Sequence, residues 1–456
     1  MEQAREIINE VKPFKAIHYN EEYVGYIGNC LSEPYDVISD AELEEYYKQC
    51  SYNVVRLILN KEQPDDNENN NRYTRARDTF KKWLGEGVLI KRDNPAFWVY
   101  EQNFKVPDGK ERTVRGFIGR IRLRDYSEGR ILPHEKILKK PYEDRVKLTS
   151  IAKMQFEYIW GMYRDPEKII DRILSQYEKR DTFVNFFEKK TSVTHKLWVM
   201  EDPEEINMIG RIFEDKKVYI ADGHHRYQAM LEVRDRMRKL YPNAGPDAPW
   251  EYIIMFLVNT ESDGLTVLPT HRVLHDIEVK DVKRLVNCID QYFHVKTYPF
   301  SFKGEKYARE KWINALTRME KKEHKFGAYI GRMKRYYLLT LKDSEAYEEL
   351  VDLPYSSDWK LLDVNIINTL VLRRILGLTE EELSSQRYVG YTKDVVDAIN
   401  SVRVGKNQIA LILNPPTVND IVKIAENGEK MPRKATYFYP KPLSGVVFYS
   451  IDPAMA

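Results

Sequence analysis

The stretch Val218-Tyr219-Ile220-Ala221-Asp222-Gly223-His224-His225-Arg226-Tyr227-Gln228-Ala229-Met230 decides the fold. Lys217 to Ala221 reads as a short buried strand. Beyond Gly223, residues Tyr227, Met230, Val233, Met237 and Leu240 recur at helical spacing, which predicts a helix from about His224 to about Leu240 with that face inward. Glycine lets the backbone turn sharply between the two elements and come close to a ligand. The helix start offers unpaired N–H groups and a positive dipole end, an anion site by construction. Arg226 adds a fork of donors suited to phosphate oxygens. His224 and His225 are neighbours on a helix, point about 100° apart and cannot face one ligand alike. Asp222, at the strand end, can hold a metal, an imidazole or a hydroxyl. Taken singly, each residue is more often a cap or a packed side chain. Five of them at one strand–helix junction favour a ligand site.

Further out, residues 203–215 read as helical and EYIIMFLVNT (251–260) as a second buried strand, continued by DGLTVLPTHRVLH (263–275). Near the N-terminus, VKPFKAIHYN (11–20) reads as a strand leading to a loop that holds Glu33-Pro34-Tyr35-Asp36-Val37-Ile38-Ser39. Ser39 caps a helix with acids in its first turn. KEQPDDNENNNR (61–72) is an exposed loop, and the helix that follows is stopped by Gly85 and Gly87. AFWVYEQNFKV (96–106) and TVRGFIGRIRLRDY (113–126) alternate around Pro107-Asp108-Gly109-Lys110, a hairpin pattern. Residues 145–200 mix helix with the strands FEYIWGMY and HKLWVM, and from about 276 helices alternate with YYLLTL and IALIL. The expected class is α/β, with α+β mixing. Three regions are expected: 1–150, bearing Tyr35-Asp36 and His134-Glu135; 151–275, bearing the junction; and 276–456, ending in MPRKATYFYPKPLSG.

The chain has 456 residues, 43% hydrophobic and 31% charged, enough for two or three cores. A net charge of +2 gives no field for a nucleic acid or an anionic membrane, so neither partner is expected. Cys30, Cys50 and Cys288 are odd in number, far apart in sequence and without a CxxC, which argues against a disulfide scaffold and fits a reducing cytosol. The start carries acids and no signal-like apolar core, and no apolar run approaches the ~20 residues of a membrane span. A cytoplasmic protein is expected.

Other candidates surround the junction. His134-Glu135 sits in EGRILPHEKILKKPYEDR (128–145), where Glu135 could be a general base or a Mg²⁺ ligand, or simply solvated. Asp36 is a second candidate base or ligand, with a turn-forming role as the alternative. His271-Arg272 suits a phosphate or carboxylate contact, though such a pair is more often structural. Arg433, Lys434, Thr436 and Lys441 put three cations and a hydroxyl between prolines, which suits a polyphosphate. No GxxxxGK[ST], protein-kinase, HExxH or GxSxG signature occurs. The histidines could hold zinc, but their spacing is not diagnostic.

VYIADGHHRYQAM resembles the DGHHR signature of the ParB/sulfiredoxin-like superfamily, whose members place it at a phosphate-binding helix start and include the free serine kinases. In order, EPYDVIS, LPHEK with Asp144-Arg145, ADGHHRYQA, LPTHRVL, LNPPTV and MPRKATYFYPK look like the domain-of-unknown-function family 1015, over nearly the whole chain. The resemblance implies a nucleotide-binding core of the ParB/sulfiredoxin type with an added mixed α/β C-terminal region. It also implies transfer of a phosphoryl group from ATP or ADP, with Mg²⁺, to a small hydroxylated metabolite, free serine first. In the serine kinases an acidic residue near the N-terminus deprotonates the hydroxyl, and here Glu33, Asp36 and Glu135 compete for that role. The expected set is Asp36, Glu135, Asp222 and His225 for catalysis. Gly223, His224, His225, Arg226, His271, Arg272, Arg433, Lys434, Thr436 and Lys441 are expected to bind the nucleotide, and Glu135 and Asp222 the metal. Arg226→Ala is expected to abolish activity with folding nearly intact. A ParB-like nucleotide-binding regulator without turnover is the rival expectation, disfavoured by the missing basic helix-turn-helix, and a homo-oligomer is compatible with either.

Overall fold

Pro13 has no N–H to donate, and the strand expected over 11–20 is accordingly cut into β1 (Val11–Lys12) and a separate piece at Ile17–Tyr19. The computed structural model describes residues 10–106, 109–277, 281–318, 323–331 and 333–455. Pro107 and Asp108 of the expected hairpin turn, and the first nine residues of the start, lie outside the described residues. The hairpin itself is present: β2 (Phe97–Lys105) and β3 (Glu111–Arg122) pair antiparallel, from Trp98 opposite Ile118 to Lys105 opposite Glu111.

These strands join β4 (Ile131–Leu132), β5 (Ile159–Tyr163), β6 (Val184–Glu188), β7 (Val193–Met200), β8 (Val218–Asp222) and β9 (Tyr252–Asn259). The order is β4-β8-β5-β9-β3-β2-β7-β6, with β1 paired to β3. Pairs β4–β8 and β5–β9 are parallel and the others antiparallel, so the sheet, like the fold, is mixed α/β. Every residue of β9 is buried, as its unbroken apolar run requires. In FEYIWGMY the strand starts only at Ile159, and β6 is an element the sequence did not announce.

Some of the helices start where short polar side chains cap them. Ser39 and Glu42 form a capping box on α1 (Asp40–Gln49), and Asn71 caps α2 (Arg72–Gly85). They are followed by α3 (Lys139–Ala152), α4 (Pro203–Phe213) and α5 (His224–Leu240). Helix α5 packs on α3 and buries Tyr227, Met230, Val233 and Met237. Leu240, expected on that face, is 69% exposed, because the apolar row ends at Met237 and Leu240 closes the helix at the surface.

The chain forms two compact units, Met1–Thr266 with Pro440–Ala456, and Val267–Tyr439. Strands from both sides of residue 150 share one hydrogen-bonded sheet in the first unit, so the division expected at 150 falls inside a single layer. The second unit has a six-stranded sheet of β10 (His271–Leu274), β11 (Phe293–Pro299), β12 (Lys325–Ile330), β13 (Arg335–Leu341), β14 (Val389–Thr392) and β15 (Ile409–Ile412). Its order is β11-β13-β12-β15-β10-β14. Its core stacks Trp312 on Tyr336, ring centroids 4.7 Å apart, among Ile399, Val402 and Ile412. Among the described residues no helix is long and apolar enough to cross a membrane.

Candidate active site

Strand β8 delivers Asp222 to the sheet end, and the chain turns into α5 at Gly223 with φ +94° and ψ 25°. A Cβ at this position would lie 2.9 Å from Ile159 Cδ1 and 3.1 Å from the Arg226 guanidinium. Gly223→Ala is therefore expected to destabilise the protein by about 1–3 kcal/mol, chiefly through its backbone conformation. Urea unfolding checks this, and an unshifted midpoint would contradict the geometry.

Both oxygens of Asp222 carry a cation. Oδ1 accepts from Lys441 Nζ at 2.5 Å and Oδ2 from Arg226 Nη2 at 3.0 Å. Arg226 is 9% exposed and spends its other terminal nitrogen on the Tyr158 carbonyl at 2.7 Å, with Glu157 Oε1 3.9 Å away. Its guanidinium is thus woven into the protein rather than held out as an open fork. Glu157 is buried and accepts from the Tyr35 backbone N–H (3.3 Å), Ser444 Oγ (3.1 Å) and Arg145 Nη1 (3.2 Å). Arg145 in turn lies 3.8 Å over the Tyr35 ring and binds Asp144. The network ties the Asp36 loop, β5, α3 and the segment 440–456 together.

The two histidines hold one loop. The backbone N–H of His134 donates to His224 Nε2 at 3.2 Å, and that of Leu138 donates to His225 Nε2 at 2.9 Å. Each Nε2 is an acceptor, which assigns the ring proton to Nδ1. His224 Nδ1 lies 3.3 Å from Glu135 Oε2. Although about 100° apart on α5, the rings grip successive points of the 134–138 segment and bring Glu135 to the junction.

The carboxylates are differentiated by surroundings. Burial costs Asp222 its charge, but Lys441 and Arg226 outweigh this and hold its carboxyl below the ordinary range. Burial also opposes the charge on Glu135, yet His224, His134 and Lys441 pull it well below the usual value. Asp36 goes the other way: desolvation and then the Asp222 carboxylate push it up to about 6, against Arg226 and Lys441. Because one side of Asp36 is open to solvent, water softens the desolvation part of that rise. Burial pulls His225 down and keeps the imidazole neutral.

Asp36, Glu135, Asp222, Gly223, His224, His225, Arg226 and Lys441 therefore meet in the first unit. Glu33 does not; it pairs with Lys190, which also binds Glu42 at 2.7 Å. His271, Arg272, Arg433, Lys434 and Thr436 belong to the second unit. There His271 Nδ1 accepts from the Leu413 N–H at 3.3 Å, and Arg272, buried, donates to the Thr270 carbonyl and to that of Lys434 at 3.3 Å. The basic C-terminal stretch is thus divided between the two units, and Lys441, in the first, binds Asp222. Among the described residues no group of three His, Cys, Asp or Glu side chains is arranged to hold a metal. With both Asp222 oxygens on cations, the donor set does not fit a resident divalent ion. Glu157 and Arg145 were not expected as site residues. An acid inside the apolar run Phe156-Glu157-Tyr158-Ile159-Trp160 was the available signal, because a charge is buried only with partners.

A mixed α/β protein with a charged cluster at a strand–helix junction is the class defined by this geometry. The chain belongs to the family described as protein of unknown function (DUF1015), whose profile matches residues 11–365. No curated protein matches it. A solved free serine kinase in complex with AMP is 12% identical, with 74% of this chain and 92% of that one covered and a TM-score of 0.34. A conserved hypothetical protein from Pyrococcus furiosus is also 12% identical, covering 73% and 94% at a TM-score of 0.32. SbnI from Staphylococcus aureus, with a C-terminal truncation, is 8% identical, covering 72% and 85% at 0.33.

Proposed function

We propose that the cluster at Asp222 is the centre of a cytoplasmic nucleotide-dependent phosphotransferase that acts on the hydroxyl of a small metabolite, with free L-serine the first acceptor to test. The observation that carries this reading is the contrast between two neighbouring carboxyls: Asp222 is fixed as an anion between Lys441 and Arg226, whereas Asp36 is raised to about 6. A carboxyl poised near neutral pH is suited to take the proton of an attacking hydroxyl. Lys441 and the start of α5 supply positive charge where the phosphoryl group would gather negative charge. Asp222 positions Lys441 and Arg226, while His224 and His225 place Glu135 and its loop beside them. Phosphoryl transfer needs chiefly this kind of positioning and charge neutralisation. Magnesium would enter as part of the metal–nucleotide substrate.

The test is incubation of the full chain with Mg²⁺, ATP or ADP and a panel of hydroxy amino acids, followed by mass detection of phosphorylated product. Asp36→Asn should reduce turnover by about a hundredfold or more, while nucleotide still binds. Absence of turnover with either donor across the panel would reject the kinase. Nucleotide binding without turnover would make the protein a nucleotide-responsive regulator instead.

A further inference from the structure

Cys30 and Cys50, remote in sequence, are brought together: their Sγ atoms lie 3.4 Å apart in an S–H···S contact. Cys30 is fully buried and Cys50 half-buried at the C-terminal end of α1. Their approach is prebuilt by the backbone around them. The Asn53 side-chain amide donates to the carbonyls of Asn29 (2.8 Å) and Leu31 (3.0 Å), on either side of Cys30, and the Val54 N–H donates to the Cys30 carbonyl at 2.8 Å. Gln49 Nε2 donates to Asn29 Oδ1 at 3.1 Å. The turn after Cys50 is thereby stitched to the residues flanking Cys30, and bond formation needs the sulfurs to close by only about 1.4 Å, to the ~2.05 Å of a disulfide.

We propose that Cys30 and Cys50 form a reversible oxidation site, an intramolecular disulfide made by reaction with a peroxide, which closes the segment bearing Tyr35, Asp36 and α1. The two sulfurs are unequal. The S–H of Cys30, the Tyr52 N–H at 3.3 Å from Cys50 Sγ and the charge of Arg56 all favour a thiolate at Cys50, whereas the neighbouring Cys50 sulfur and burial keep Cys30 protonated. The accessible, thiolate-leaning sulfur is the one that reacts with oxidants. Cys50 thiolate attacks one peroxide oxygen, the O–O bond breaks, and hydroxide leaves a sulfenic acid. That step removes the negative charge that opposed ionisation of Cys30. Cys30 sulfur then attacks the sulfenic sulfur, the S–S bond forms, the S–O bond breaks, and the Cys30 proton leaves with the hydroxyl as water. Two thiols are oxidised and the peroxide is reduced to water, and an external dithiol reverses the change by exchange. In a reducing cytosol such a bond serves as a sensor rather than a scaffold.

The test treats the full-length reduced protein with limiting hydrogen peroxide, blocks remaining thiols with a maleimide, and maps peptides by mass. The expected result is a Cys30–Cys50 linked peptide with Cys288 still alkylated, full reversal by dithiothreitol, and a higher thermal midpoint for the oxidised form, as closure of a loop in the unfolded chain predicts. Cys30→Ser should stop at a Cys50 sulfenic acid that dimedone traps. If that variant does not fold, the wild-type map decides alone. Cys30 and Cys50 both remaining alkylatable, or Cys50 proceeding to sulfinic acid without a linked peptide, would overturn the proposal.

Discussion

Arg226→Ala is expected to lower stability by about 3–5 kcal/mol, the usual cost of leaving buried partners of an ion pair uncompensated. The variant strands Asp222 Oδ2, brings Glu157 closer to an unpaired charge and frees the Tyr158 carbonyl. This reverses what the sequence suggested, since an arginine held out toward phosphate could be removed with little effect on folding. Chemical denaturation of the variant beside the parent decides it; a loss below about half a kcal/mol would mean that the buried network is not formed in solution. Arg226→Lys should fall between the two, because a point charge can keep Asp222 company but cannot reach the Tyr158 carbonyl at the same time. Nucleotide affinity measured on these folded variants then separates a supporting role from direct phosphate contact.

Asp36→Asn should raise stability at neutral pH while reducing the proposed turnover by about a hundredfold or more. The folded-state carboxyl titrates near 6, above its ordinary 3.8. Below about pH 3 the acid is protonated in both folded and unfolded chains, and its elevation costs nothing. As pH rises through 6 the folded protein must accept an anion beside Asp222, so stability is lost across that interval. A two-unit shift corresponds to roughly 3 kcal/mol, and the solvent-facing side of Asp36 reduces this to about 1 kcal/mol. The asparagine variant should therefore be more stable than the parent above pH 6 and indistinguishable from it below about pH 3. Parallel unfolding curves at the two pH values test this, and an equal difference at both would show that the effect is not electrostatic. A residue whose replacement stabilises the protein and removes its activity bears strain that only function explains.

Much of the local structure is written in local chemistry. The apolar run 218–221, the glycine at 223 and the helical repeat through Met237 specify β8, its turn and α5, because hydrophobic periodicity and a positive φ are properties of a few adjacent residues. Ser39 with Glu42, and the paired segments on either side of residues 107–110, were legible for the same reason. The gathering of DGHHR residues at one junction was likewise visible in the chain itself.

What each of those residues touches was decided by tertiary structure. Arg226 reads equally well as an outward fork or an inward clasp, and the carbonyl of Tyr158 and the buried acid Glu157, far off in sequence, choose the clasp. Adjacent histidines on a helix diverge, yet a single loop curves past both rings. Lys441 is one cation among several in its stretch until the fold brings it to Asp222, and Cys30 and Cys50 are unrelated until the turn at Asn53 joins them. Sequence alone determined most of the elements around the junction, since backbone conformation answers to neighbours along the chain, whereas β6 took its strand from pairing with β7. Partner choice for buried charges and sulfurs belongs to the fold, because it depends on which distant groups share a region where water cannot serve as the partner.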